Sequence, residues 1–337
     1  KYLQDFTDDE KRAYVDANAS TLRDLLPADL VFTNHVLMGG PVGAATGEPF
    51  RVKAHGSELE YSMRGRPELE AWGREALARA DATYVGSNHI RNVLEEVVGH
   101  VHDVYEVPPG VDIDEFAPQP RDEALAELLA EAERDPPNPG NAQERLPDEG
   151  NAERLAAFLD GDAPTVVYFG KLIRNKGVHL LLEVLRDLDA RAVIVGFGDW
   201  RRELEEMAPP NTLFPGPFEH RHLVHLLPLA DVSVVPSIFP EAFGMVAAEA
   251  AATGCPPLVA RHSGLAEVAA GLEEEYPERL RHLAAFETGN VADLHAKLVE
   301  LLSLPAADRE ELRAAARRAV VARWSWESVA ARLVAPV

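Results

Sequence analysis

"TVVYFGKLIRNKGVHLLLEVLRDLDARAVIVGFG", residues 165–198, sets out in order a short apolar run, a loop with glycine and lysine, a helical stretch over Val178–Leu188 and a second apolar run ending in glycines. Strand, helix and strand in succession predict a parallel sheet. The pattern extends in both directions. Upstream, residues 8–26 have helical spacing with acidic residues at the front, where the helix dipole favours them. "DLVFTNH", "FRVKAHG", "ATYVGS" and "VYEVPPG" then read as strands, separated by helical stretches such as Pro67–Arg79 and Asn88–Val98. Downstream come a helix over Trp200–Met207, "NTLFPGP", a helix over His220–Leu229, "VSVVPS", "PPLVARHSG" and helical stretches at Val291–Leu302 and Ala307–Arg323. The intervening "ERDPPNPGNAQERLPDEGN" is rich in Pro, Asn and charge and reads as a linker or surface insertion. The expected division is an α/β domain over 1–118, a linker or insertion over 119–160, a second α/β domain over 161–320 and a helical end over 321–337.

A chain of 337 residues exceeds what one core usually supports, which agrees with two domains. The net charge of -23 argues against nucleic-acid binding, because phosphate contacts need Lys and Arg. A single cysteine, Cys255, excludes an internal disulfide and any multi-cysteine metal site and fits a reducing compartment; it reads as a small buried hydrophobe. No apolar run has the ~18 residues of a membrane span. The chain opens at Lys1 in a helix-like stretch without an initiator Met, so a preceding segment is expected.

In open parallel sheets ligands bind beyond the carboxyl ends of the strands, so the loops there carry the chemistry. Lysine occurs only at positions 1, 11, 53, 171, 176 and 297, yet Lys171 and Lys176 share one such loop. Ammonium groups beside a helix N-terminus suit a phosphate or diphosphate. In "FPEAFGMVAAEAAATGCPP", residues 239–257, Glu241 precedes a helix over about 243–252 and Glu249 lies inside it, on the order of 10 Å along the axis. That distance suits two sets of hydroxyls on one ligand. Glu249 is surrounded by alanines that predict burial, which is costly for an unpartnered carboxylate. His55 ends a strand of the first domain. Gly196 and Gly198 lack the third glycine of a dinucleotide loop and read as a tight turn, which disfavours a nicotinamide-dependent dehydrogenase. Asp112-Ile-Asp114, Asp160-Gly-Asp162 and Asp187-Leu-Asp189 are expected by chance in so acidic a chain, and no metal is expected.

Together these segments resemble the retaining nucleotide-sugar-dependent glycosyltransferases of the GT-B fold, the group related to sucrose synthase and bacterial mannosyltransferases. "FGKLIRNKGVHLLLE" is similar to that family's G-[RK]-L-x-x-x-K-G segment, and "PEAFGMVAAEAAATGCPPLVA" to its E-x7-E segment. "ADATYVGSNHIRNVL", "VPPGVDIDEFAP", "LADVSVVPS" and "RWSWESVAARL" follow in the family's order, so nearly the whole chain is covered. The resemblance implies two facing Rossmann-like doubly wound domains, the first incomplete at its start, with the last helix returning to it. It further implies that Lys171 and Lys176 hold the donor diphosphate, lysine at the first position giving charge without the bidentate fork of arginine. Glu241 and His55 lie at the transferred sugar, the backbone from Ala242 through Phe243, Gly244 and Met245 to Val246 contacts sugar and phosphate, Glu249 binds the ribose, and Phe218 lies near the base. The expected partners are a nucleotide-sugar donor, as co-substrate without a resident cofactor, and a sugar, lipid or small-metabolite acceptor. The expected location is the cytoplasm or the inner membrane face. A nucleotide-sugar-binding protein without catalysis is the alternative.

Overall fold

Short strands of two to five residues build a parallel sheet in each of two compact α/β units of the computed structural model, which describes Lys1 and residues 3–335. One unit takes in Lys1–Pro109 and the chain's end from Val329; the other is Gly110–Ser328.

The first unit opens with α1 (Asp8–Arg23). Thr7 begins this helix with a capping box, accepting from the Glu10 N–H while the Glu10 carboxylate accepts from the Thr7 N–H at 2.7 Å. Strands β1 (Val31–Asn34), β2 (Phe50–Lys53), β3 (Ala82–Val85) and β4 (Val104–Glu106) pair in sequence order, all parallel. Right-handed crossovers between strands in this order put the connecting helices α2 (Gly40–Thr46), α3 (Pro67–Leu77) and α4 (Asn88–Val98) on one face. Inward residues Val31, Phe50, Val52 and Val85 pack there with Ile90, Val93, Leu94 and Val97 of α4. Strand alternation sends Ala82 and Tyr84 to the other face, against Val329 and Leu333 of the C-terminal helix Trp326–Val334. Arg51 ties this layer down by donating to the Leu333 carbonyl at 2.7 Å. The unforeseen element is α2, whose sequence "GPVGAAT" is poor in helix formers. Its glycines serve packing, since a Cβ on Gly43 would sit 2.3 Å from the Phe50 ring.

In the second unit β5 (Thr165–Phe169), β6 (Arg191–Val195), β7 (Thr212–Leu213), β8 (Val232–Val235), β9 (Pro257–Ala260) and β10 (Ala285–Phe286) form one parallel sheet in the order β10-β9-β8-β5-β6-β7. Every residue of β5, β6 and β8 is buried, as helices on both faces require. The strand order reverses direction between β5 and β8, so their carboxyl-end loops flank the sheet's topological switch point. Its helices are α5 (Arg121–Glu133), α6 (Asn151–Phe158), α7 (Val178–Val184), α8 (Arg201–Met207), α9 (His220–Leu226), α10 (Met245–Ala252), α11 (Ser263–Glu275), α12 (Val291–Leu302) and α13 (Ala306–Arg323), while α14, the C-terminal helix already named, belongs from Val329 onward to the first unit.

The stretch 119–160, expected as a linker or insertion, is part of this unit instead, and the units divide at Pro109 and Gly110 rather than after residue 118. Ala124 and Leu128 of α5 and Leu155 of α6 are buried in the unit's core. The buried Arg191 guanidinium fastens the end of α6 by donating to the carbonyls of Phe158 at 2.8 Å, Leu159 at 3.2 Å and Asp160 at 2.7 Å. Its Pro-rich middle hid two flanking helices whose partners lie far off in sequence.

Candidate functional site

The loop after β5 is shaped by close backbone contact with its neighbours. Lys171 is exposed, its carbonyl held by the Tyr168 hydroxyl at 2.8 Å. A single tight turn, Arg174–Lys176, ends at Gly177 in the left-handed region at φ +68. A Cβ there would lie 1.9 Å from the Pro236 carbonyl oxygen, so only glycine lets this loop meet the loop after β8. The Ile238 N–H and the Ser237 hydroxyl both donate to the Asn175 carbonyl, at 3.0 and 3.3 Å. Across this junction the Lys176 ammonium forms an ion pair with the Glu241 carboxylate, both side chains partly exposed. Gly196 and Gly198 pack the loop after β6 onto the same place: added Cβ atoms would lie 1.8 Å from the Gly170 carbonyl oxygen and 2.3 Å from that of Leu172. Their role as a tight turn therefore has a physical reason.

Glu241 is fixed from a third loop that the sequence reading did not single out. Its N–H donates to Ser263 Oγ at 2.8 Å, and its carbonyl accepts from the Gly264 N–H at 3.0 Å. His262 Nε2 lies 2.8 Å from the Ser237 carbonyl oxygen and must therefore carry the proton, leaving Nδ1 to accept from the Ser263 hydroxyl at 2.9 Å. This relay holds Ser263 at φ +46, an uncommon conformation for a residue with a side chain. The sequence signal was His-Ser-Gly one residue beyond the apolar run of β9, after Arg261.

From Glu241 the chain passes exposed Ala242, buried Phe243, which meets Trp324 edge-on at 5.6 Å between ring centres, and Gly244 at φ +112. Half-buried Met245 and Val246 begin α10, whose N-terminus no side chain caps. Its first-turn N–H groups and the dipole's positive end lie at the switch point. Glu249, one turn further on, is buried as expected, 8% exposed. Burial pushes its carboxyl up, with the Glu115 charge in the same direction and His220, whose Nε2 is 3.8 Å from Glu249 Oε1, opposing. His220 itself stands edge-on to Phe116 at 5.3 Å, a pairing absent from the sequence reading. Phe218 is stacked on His222 at 4.6 Å, and buried His222 is in turn held by Asp135 at 2.9 Å.

His55 lies in the first unit, past the end of β2, with Nε2 3.1 Å from Asn34 Oδ1 and its ring 4.4 Å from that of His35. Desolvation, then the neighbouring His35 and Lys53, pulls its imidazole down to about 4. His35 is held at φ +71 because the Glu58 carboxylate, 7% exposed, accepts from the next two N–H groups, Val36 at 2.5 Å and Leu37 at 3.0 Å. β1 runs directly into a π-helical turn, His35–Gly39, and a second, Glu58–Met63, follows β2 after four residues, a form that recurs at functional sites. Sequence reading found His55 and missed this His35–Glu58 pair.

Among the described residues no group of three His, Cys, Asp or Glu side chains is placed to hold a metal ion. Asp112 spends Oδ1 on the N–H groups of Asp114 and Glu115, both at 3.0 Å. Cys255 is buried, its thiol pushed up to about 12. No described helix is long and apolar enough to cross a membrane.

Two α/β units with parallel sheets and loops gathered at such a switch point define the GT-B fold class, and solved structures agree. Sucrose-phosphate synthase from Thermosynechococcus elongatus matches with TM-score 0.68 at 21% identity, over 96% of this chain and 76% of that one. The Anabaena protein HepE in complex with UDP-glucose matches with TM-score 0.69 at 16% identity, over 95% of this chain and 80% of that one. Residues 149–319 match the family model for glycosyl transferases group 1, and the chain belongs to that family. It is similar to the D-inositol 3-phosphate glycosyltransferase of Xylanimonas cellulosilytica, 30% identical over 80% of this chain but 59% of that protein's length. It is also similar to a Corynebacterium glutamicum GDP-mannose-dependent monoacylated α-(1-6)-phosphatidylinositol monomannoside mannosyltransferase, 26% identical over 88% of this chain and 72% of that one.

Proposed function

We propose that this chain transfers a sugar from a nucleoside-diphosphate sugar to an acceptor hydroxyl with retention at the anomeric carbon. The observation that carries the proposal is the Lys176–Glu241 ion pair, which sets a cation and a carboxylate side by side at the switch point. The bond from the anomeric carbon to the diphosphate breaks as the acceptor oxygen bonds on the same face, and the acceptor proton passes to the departing phosphate oxygen. Lys171, Lys176 and the first-turn N–H groups of α10 meet the charge that develops on the diphosphate. Glu241 orients the sugar, Ala242 to Val246 offer backbone donors, Glu249 accepts from the ribose hydroxyls and Phe218 borders the base. His55 is assigned to the sugar on the sequence resemblance. No residue serves as covalent nucleophile, and no resident cofactor or metal is used.

The relatives' names favour a guanosine diphosphate sugar as the donor to test first, and inositol-bearing acceptors, lipid-linked or free. The reaction belongs to the cytoplasm or inner membrane face, where nucleotide sugars are available. The test is calorimetric binding of a panel of nucleoside-diphosphate sugars, then product analysis with each acceptor class. Donor binding with transfer and an unchanged anomeric configuration is expected. Binding without transfer or donor hydrolysis would assign the chain to nucleotide-sugar binding alone, and no binding would overturn both.

A further inference from the structure

The segment between α5 and α6, rich in Pro, Asn and charge, is built too rigidly for a tether. Buried Asn138 donates from Nδ2 to the carbonyls of Gln143 at 3.1 Å and Pro147 at 3.1 Å, and its Oδ1 accepts from the Gln143 N–H at 2.9 Å. Buried Asp148 takes both Arg201 Nη groups, one at 2.9 Å and one at 2.5 Å, with Arg154 3.5 Å away. Its N–H donates to the Pro215 carbonyl at 2.9 Å, and Asn151 Nδ2 donates to the same oxygen at 2.8 Å. Charges and amides buried with this many partners fix the loop's path across the loops after β6 and β7.

That path brings the Arg145 guanidinium over the Phe197 ring, 4.8 Å from its centre. Phe197 belongs to the phosphate side of the proposed site: its carbonyl accepts from the N–H of Leu172, the residue after Lys171, at 2.7 Å. The loop after β6 is joined in turn to the loop leading to Phe218, through the Gly196 N–H and the Gly216 carbonyl at 2.9 Å. A cation over a ring face is held without spending its N–H donors on another group. Arg145 is exposed and donates to no group of the chain among the described residues.

We infer that Arg145 is a ligand of the donor nucleotide, carried to the site by the 138–149 segment with Phe197 as its platform. The inference rests on the proposed donor site and deepens it. A fork of N–H donors suits paired acceptor oxygens or a base's acceptor edge, and the donor offers both, in its diphosphate and in its base.

The test is calorimetry of the full chain and its R145A and R145K variants with UDP, GDP, ADP and inorganic pyrophosphate, with thermal unfolding confirming that the variants fold. R145A should bind about tenfold more weakly, the effect of losing a charge-assisted hydrogen bond. An equal loss for all four ligands places the fork on the phosphates; a loss for one nucleotide that spares pyrophosphate places it on the base. R145K should recover little, because it restores charge without the fork. Unchanged affinity of R145A for every ligand that wild type binds, or full recovery by R145K, would overturn the inference. If wild type binds none of the four, it is the donor-site reading itself that fails.

Discussion

Lys176, on the turn after β5, is ion-paired with Glu241, in the loop after β8, although 65 positions separate them. A bound diphosphate would compete with Glu241 for that ammonium. Lys176→Ala should therefore weaken nucleoside-diphosphate binding by about tenfold or more and reduce turnover further. Glu241→Ala should bind the nucleotide at least as tightly as wild type while losing transfer. Calorimetry and product assays on the two variants check this opposition, and equal weakening of binding in both would contradict it.

Glu249 sets stability against function. Burial holds its carboxyl above the ordinary value of 4.5, so the folded state resists ionising it. A raised folded-state value favours the fold below 4.5, and that contribution is lost as pH rises through the folded-state value. Glu249→Gln should thus raise the melting temperature at neutral pH and change it least in acid, at about 2–4 °C per kcal/mol for a unit of this size. The same variant should bind nucleoside diphosphates more weakly, because the amide replaces an acceptor-only group. Melting curves from pH 4 to 8, with donor titrations at neutral pH, test both halves.

His55 makes the opposite contribution. With its imidazole lowered to about 4 from 6.5, stability is full above 6.5 and falls as pH drops through about 4, because the unfolded chain takes up the proton first. Desolvation by the first unit, His35 and Lys53 cause this shift, so His55→Gln should flatten the acid limb of stability between these values. Urea unfolding followed from pH 7 to 4 would show wild type and variant converging. Parallel curves would count against it.

Gly177 joins the two principal loops and should tolerate no side chain. Gly177→Ala adds a left-handed penalty to a Cβ placed 1.9 Å from the Pro236 oxygen, a combined cost on the order of 3 kcal/mol, and displaces Lys176. Gly289→Ala, at φ +77 with open space around it, should cost only about 1–2 kcal/mol. Chemical denaturation of both variants measures the difference, and only the first should also lose donor affinity.

By itself the sequence determined what repeats or is local. The alternation that predicted parallel sheets held through β1 to β9, and Asn88–Val98 and Val291–Leu302 fell at the predicted residues because their apolar spacing is helical throughout. Lysine scarcity marked Lys171 and Lys176, and the alanines around Glu249 announced its burial. Tertiary structure alone decided which distant residues meet. The Glu241 N–H is held by Ser263, His35 is turned by Glu58, Glu249 is approached by His220, and Arg145 is carried onto Phe197. Each contact joins side chains or loops 22 to 52 positions apart, each specified by packing and hydrogen-bond geometry rather than by neighbouring residues, so no periodicity could show it. For the same reason the helices on either side of Asn138–Glu149 read as a linker until the core they fill was in view.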